Sequence, residues 1–183
     1  MNIVETVQKN LGLMPLKKIN PNTQEIIGDP VDLGNTALAQ AGIPAILMGI
    51  YNRLEQDPDF STLQADQGRM LENIFGKSKD IIVKKITTYS QIKDENSEQE
   101  LEHIASESLR VIIEKTGNST NENTVRNFIA VNKPDVLLYL PPSLDLGSLM
   151  QNNNLDDRTG KMEGPISTLV RHLETIFSTS DKI

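Results

Sequence analysis

Apolar residues recur along this chain at spacings of three and four, the period of helices with one buried face, and no strand-length run alternates. Asn2 is placed to cap a short helix with Ile3, Val4, Val7 and Leu11 on one face and Gly12 as its stop. Pro15, Pro21, Gly28 and Pro30 then break any long element, so residues 13–30 read as a loop or extended arm in which Ile26 and Ile27 pack on the body. Asp32 or Asn35 opens a small-residue segment, 36–41. Gly42 is expected to interrupt it, with Pro44 in the first turn of the next helix, where a missing N–H is tolerated. That helix carries Ile43, Ile46, Leu47, Ile50, Tyr51 and Leu54 on one core-facing stripe. Ala45 and Gly49 are small and four apart, which admits a neighbouring helix closely, and Asp57-Pro58 ends the element.

Ser61 with Gln64 has the form of a capping box leading into Met70, Leu71, Ile74 and Phe75, with Gly76 as the stop. Ser78 is expected to cap a helix with Ile81, Ile82, Ile86 and Tyr89. Ser97 with Glu100 is a second capping box, followed by Leu101, Ile104, Ala105, Leu109, Ile112 and Ile113, and closed by Gly117. Thr120 or Asn121 starts a shorter helix with Val125, Phe128 and Ile129. Pro134 restarts the chain as an apolar run, 135–140, which Pro141-Pro142 halts; Leu144, Leu146, Leu149 and Met150 suit one more short turn. Residues 151–164 form the longest polar loop. From Pro165 a final helix places Ile166, Leu169, Val170, Leu173, Ile176 and Phe177 on one stripe. The pattern predicts an all-α fold, a single bundle of seven or eight helices. Residues 1–30 form an arm with a short helix, 31–140 the core, and 141–183 a loop and amphipathic helix packed on that core.

The stretch Ala41-Gly42-Ile43-Pro44-Ala45-Ile46-Leu47-Met48-Gly49-Ile50-Tyr51, then Ile74-Phe75-Gly76, then residues 105–117, resembles the YidB-like family of bacterial helical proteins over roughly residues 35–140. The resemblance implies an all-α fold and a bacterial origin; the family has no established activity, so it carries no site residues across.

Composition narrows the chemistry. Zero Cys in 183 residues excludes disulfides, thiolate metal sites and thiol catalysis. The two His, His103 and His172, are far apart and read as partly exposed helical residues rather than catalytic bases. A net charge of −7 opposes nucleic-acid binding, which draws most of its affinity from Lys and Arg on phosphates. The most apolar stretch, 42–50, is far short of the ~20 residues that span a bilayer, and the first residues lack the pattern of a signal peptide. A cytoplasmic protein without membrane contact is expected.

Gly160-Lys161 is no phosphate loop, because Leu155 stands where a glycine is needed and Met162 where Ser or Thr is needed. In the polar loop, Asn152, Asn154, Asp156 and Glu163 fall at positions 1, 3, 5 and 12 of a calcium-loop pattern, all oxygen donors. Position 6, where that loop turns sharply on Gly, is Asp157, and a solvated turn with Arg158 or Lys161 beside the carboxylates is the plainer reading. Residues 97–132 have the outline of a helix-turn-helix that would present Asn121, Asn123, Arg126 and Asn127 to base edges. Residues 97–133 hold 4 basic and 6 acidic side chains, which favours two core helices instead. Met48, Met70 and Met150 read as core gap-fillers.

With no catalytic motif and no cofactor fingerprint, the sequence points to a non-enzymatic helical protein-interaction domain. Its 165–177 helix would contact a protein partner or a second copy. A small-molecule-binding protein or enzyme with a dispersed site is the alternative, and a helix-turn-helix nucleic-acid module a further one. A polar-lined pocket would favour a ligand site and an apolar surface patch would favour protein contact.

Overall fold

The computed structural model describes residues 2–20, 35–64, 68–92 and 96–147; the 151–164 loop and the 165–177 stripe lie outside them. Among the described residues the fold is all-α: α1 (Ile3–Asn10), α2 (Asn35–Gln56), α3 (Ser61–Gln64), α4 (Met70–Phe75), α5 (Lys79–Ser90), α6 (Ser97–Thr116) and α7 (Glu122–Leu137), with short 3-10 turns at Gly76–Ser78 and Pro142–Leu144. Six of these are helices proper and α3 is a single turn, so the expected seven or eight is not matched in number. No described helix is long and apolar enough to cross a membrane.

α2 is the axis of the fold. Every residue from Ala37 to Tyr51 is buried, and α1, α4, α5, α6 and α7 all pack against it. A helix apolar on all sides belongs inside, and here five shell helices enclose it. This enclosure corrects the expected break. Gly42 does not interrupt the helix, and Pro44 sits in its interior rather than in a first turn. Interior proline costs ~3 kcal/mol through its missing N–H and its clash with the carbonyl four residues back. Burying several large side chains, at roughly 1.5–3 kcal/mol each, outweighs that. Both glycines serve close approach. A Cβ on Gly42 would lie 2.7 Å from Leu101 Cδ2, and one on Gly49 would lie 2.5 Å from Ile74 Cγ2 and also strike the Phe75 ring.

The buried amide of Gln40 ties two distant segments to this axis. Its Oε1 accepts the Lys17 N–H (2.8 Å), and its Nε2 donates to Lys17 O and Tyr139 O (both 2.9 Å). The Ile19 N–H also donates to Leu138 O at 2.7 Å, so the strip after α1 lies against the exit of α7. Such buried polar groups are tolerable because each is paired.

The helix ends show which local signals hold. Asn2 caps α1 reciprocally with Glu5: the Glu5 N–H donates to Asn2 Oδ1 (2.9 Å) and the Asn2 N–H to Glu5 Oε2 (3.3 Å). Gly117, at φ +64, closes α6, with the Asn118 N–H donating to Ile113 O and the Gly117 N–H to Glu114 O, the paired pattern of a glycine stop. Other expectations need correction. Ser61 is the first residue of α3 and is held by Asp59, whose carboxylate accepts its N–H (2.9 Å) and hydroxyl (2.6 Å). Ser97 lies inside the first turn of α6, with Asn96 at the cap position. α4 starts only at Met70, where the Glu102 carboxylate of α6 accepts the Met70 N–H (2.7 Å) and the Leu71 N–H. Pro134 does not restart the chain; α7 runs through it to Leu137. Ile81 leaves the core-facing set of its helix and is 49% exposed.

Candidate functional site

α5 presents two unlike faces. Ile82, Ile86 and Ser90 are buried toward the body. Beside that face Ile81, Lys84, Lys85, Thr88 and Tyr89, with Ser143, line an open groove of about 300 Å³. Its apolar walls are Ile81 and the half-buried Tyr89, whose phenol pKa burial raises. The methylene stems of the two lysines extend that surface, because long cationic side chains lay apolar carbon along it while the charge stays in water. One edge is fixed by Lys85, whose Nζ donates to Leu144 O (2.8 Å) and Asp145 O (3.2 Å) and pairs with the Asp145 carboxylate at 3.4 Å. Just beyond the groove-lining Ser143, Leu144 and Leu146 sink into the core.

A second concavity, about 390 Å³, opens between the C-terminal half of α2, α3, α4 and the turn into α5. Asn52, Arg53, Gln56, Thr62, Glu72, Asn73 and Ser78 give it a polar lining, with Phe75 as an aromatic wall. Arg53 Nε is buried without a hydrogen-bond partner. Asn73 is partly committed, donating from Nδ2 to Leu63 O at 3.2 Å. The Arg53 cation, amides and hydroxyls of this cleft can take a small polar ligand that carries a carboxylate, with the exposed Glu72 carboxylate of the same lining opposing that charge.

A smaller apolar pocket of about 170 Å³ lies between α1, α2 and α6, with the exposed His103 on its rim. Of the residues expected of a recognition helix, Asn121 and Arg126 serve α7 itself. Asn121 caps it, its Oδ1 accepting the N–H groups of Asn123 (3.0 Å) and Thr124 (3.2 Å), and Arg126 pairs with Glu122 at 2.8 Å. Asn123 and Asn127 are exposed. Asn152, Asn154, Asp156, Glu163 and His172 lie outside the described residues. Among the described residues no three His, Asp or Glu side chains are grouped to hold a metal ion. Two buried hydroxyls, Tyr51 Oη and Ser108 Oγ, have no hydrogen-bond partner. Burial, reinforced by the charge of Asp135, holds the Tyr51 phenol well above its usual pKa, and its ring meets Phe128 edge-on at 6.3 Å. None of these lone groups lines any of the three concavities above.

Neither the groove nor the cleft was marked in the sequence. Each joins residues from separate elements, and the one local sign was Ile81 preceding Ile82 on a helix that needs only one of them inside. Comparison with known proteins returns no matching family model, no matching curated protein and no matching solved structure.

Proposed function

We propose that this chain is a non-enzymatic helical interaction domain that receives the apolar face of another helix in the groove on α5. The observation that carries the reading is Ile81: a large apolar side chain, 49% exposed, that lines with Tyr89 an open groove of about 300 Å³. Apolar stripes laid into such grooves are a recurrent mode of helix recognition. Cytoplasmic placement and kinship with the YidB-like bacterial family belong to the same proposal, the latter on the residues already quoted. A photoreactive phenylalanine analogue at position 81 of the full chain tests it, with position 77, an exposed lysine one helical turn away, as control. The expected adduct joins position 81 to a peptide with apolar residues at helical spacing and is absent from position 77. Equal, diffuse labelling at both positions overturns the reading.

The cleft at Arg53 favours a second reading, a site for a small carboxylate-bearing molecule. Glutamate, citrate and inorganic phosphate, each at millimolar concentration, are the probes. A rise in melting temperature with a carboxylate, lost in Arg53→Leu, supports this reading, because a ligand bound only to the folded state stabilises it. No rise with any probe removes it.

A further inference from the structure

We infer that the polar cleft between α2 and α4 binds a small zwitterion of the amino-acid class, its carboxylate at Arg53 and its ammonium at Glu72. The inference rests on reading that cleft as a ligand site, and it names the class of ligand.

The cleft lies where the central helix turns polar. α2 is buried without a break from Ala37 to Tyr51, and the next two residues are Asn52 and Arg53. Gly49, Asn52, Arg53 and Gln56 stand at offsets 0, 3, 4 and 7, so they share one stripe of the helix, and all four line the cleft. α4 adds Glu72, Asn73 and Phe75 to the lining. Gly49 lets α4 come close, because a Cβ there would strike the Phe75 ring. The volume, about 390 Å³, falls within the roughly 300–1,000 Å³ of small-molecule sites.

Arg53 and Glu72 are the two charged residues of that lining, and they are opposite in sign. Among the described residues no ion pair joins them; the salt bridges link other partners. Arg53 Nε is also enclosed without a hydrogen-bond partner, and a buried donor left unpaired costs free energy. A carboxylate set against the guanidinium supplies the missing acceptor through charge-assisted bonds. A simple anion would bring like charge to Glu72. An ammonium on the same ligand turns that repulsion into attraction, and the face of an aromatic ring such as Phe75 attracts it too. Two opposite charges in one small cleft therefore favour an amino acid over a di- or tricarboxylate.

Glycine, β-alanine, γ-aminobutyrate and δ-aminovalerate carry their two charges progressively further apart. Thermal unfolding of the full chain compares each with the carboxylate of equal carbon count, from acetate to valerate, at the same millimolar concentration. A ligand bound only to the folded state raises the melting temperature. The expected result is one amino acid that raises it by roughly 2–4 °C more than its matched carboxylate. Glu72→Gln should remove that advantage and Arg53→Leu the whole rise, each variant judged against its own ligand-free melting temperature. Glu72→Lys should reverse the preference, so that succinate or glutarate outperforms the amino acid. Glu72 is exposed, so its variants decide the matter even where Arg53→Leu fails to fold. Equal or larger rises with the matched carboxylates overturn the zwitterion and leave the carboxylate site standing. A rise that survives the substitutions unchanged reflects solute exclusion from the protein surface and overturns both readings. No rise with any probe removes both as well.

Discussion

α2 and α5 are both rich in isoleucine, yet they spend it differently. In α2, Ile43, Ile46 and Ile50 are all at 0% exposure, and the residues off their stripe are buried as well, because shell helices surround the element. In α5, Ile82 and Ile86 are at 0% and Ile81 is at 49%, because the body covers only one side. Apolar excess means enclosure in the first helix and an unfilled face in the second. The difference is decided by neighbours, not by the local sequence, and it separates residues that hold the fold from a residue available for contact.

The adjacent isoleucines of α5 give the strongest test of that separation. Ile82→Ala empties a fully enclosed position and is expected to cost about 2–5 kcal/mol in urea unfolding. Ile81→Ala should change the same global stability by less than about 1 kcal/mol, since substitutions at open positions have small effects. Equal costs would mean that the outer face of α5 is enclosed as thoroughly as the inner one, and the comparison would fail.

Local signals proved readable where the backbone alone decides. Asn2 at the start of α1 and Gly117 at the end of α6 act within a turn of themselves, and both perform as their types suggest. The stripe from Ile43 to Leu54 also turned inward, along with the rest of its helix. Signals that tertiary packing overrides misled. Gly42 and Pro44 are helix breakers in isolation, but the burial around them holds α2 continuous. Pro134 is absorbed by α7 only one turn before that helix ends. The cap of α4 was invisible because it comes from Glu102, more than thirty residues away. For the same reason neither concavity could be read in advance. Ser143 joins Ile81 in one groove, and Gly49 meets Phe75, only once the shell has closed.

The finest test lies within α2, where two glycines allow close approach to different degrees. Replacing a helix-interior glycine by alanine gains up to ~1 kcal/mol of helix propensity wherever the added methyl fits. At Gly42 the new Cβ meets the tip of Leu101, a methyl at the far end of a flexible side chain, and makes an ordinary 3.5 Å contact with Ile104 Cδ1. Gly42→Ala should therefore be close to neutral, with propensity offsetting the adjustment. At Gly49 the new Cβ collides with Ile74 Cγ2, carried on a stiff branched Cβ, and with the Phe75 ring that also walls the polar cleft. Overpacking of this kind typically costs 1–3 kcal/mol, more than the propensity gain, so Gly49→Ala should be net destabilising by about 1 kcal/mol. Denaturant midpoints with an unchanged slope measure both variants. If Gly49→Ala proves the more stable of the two, α4 does not press on α2 as closely as the geometry states, and the enclosure of the central helix is looser than its neighbours suggest.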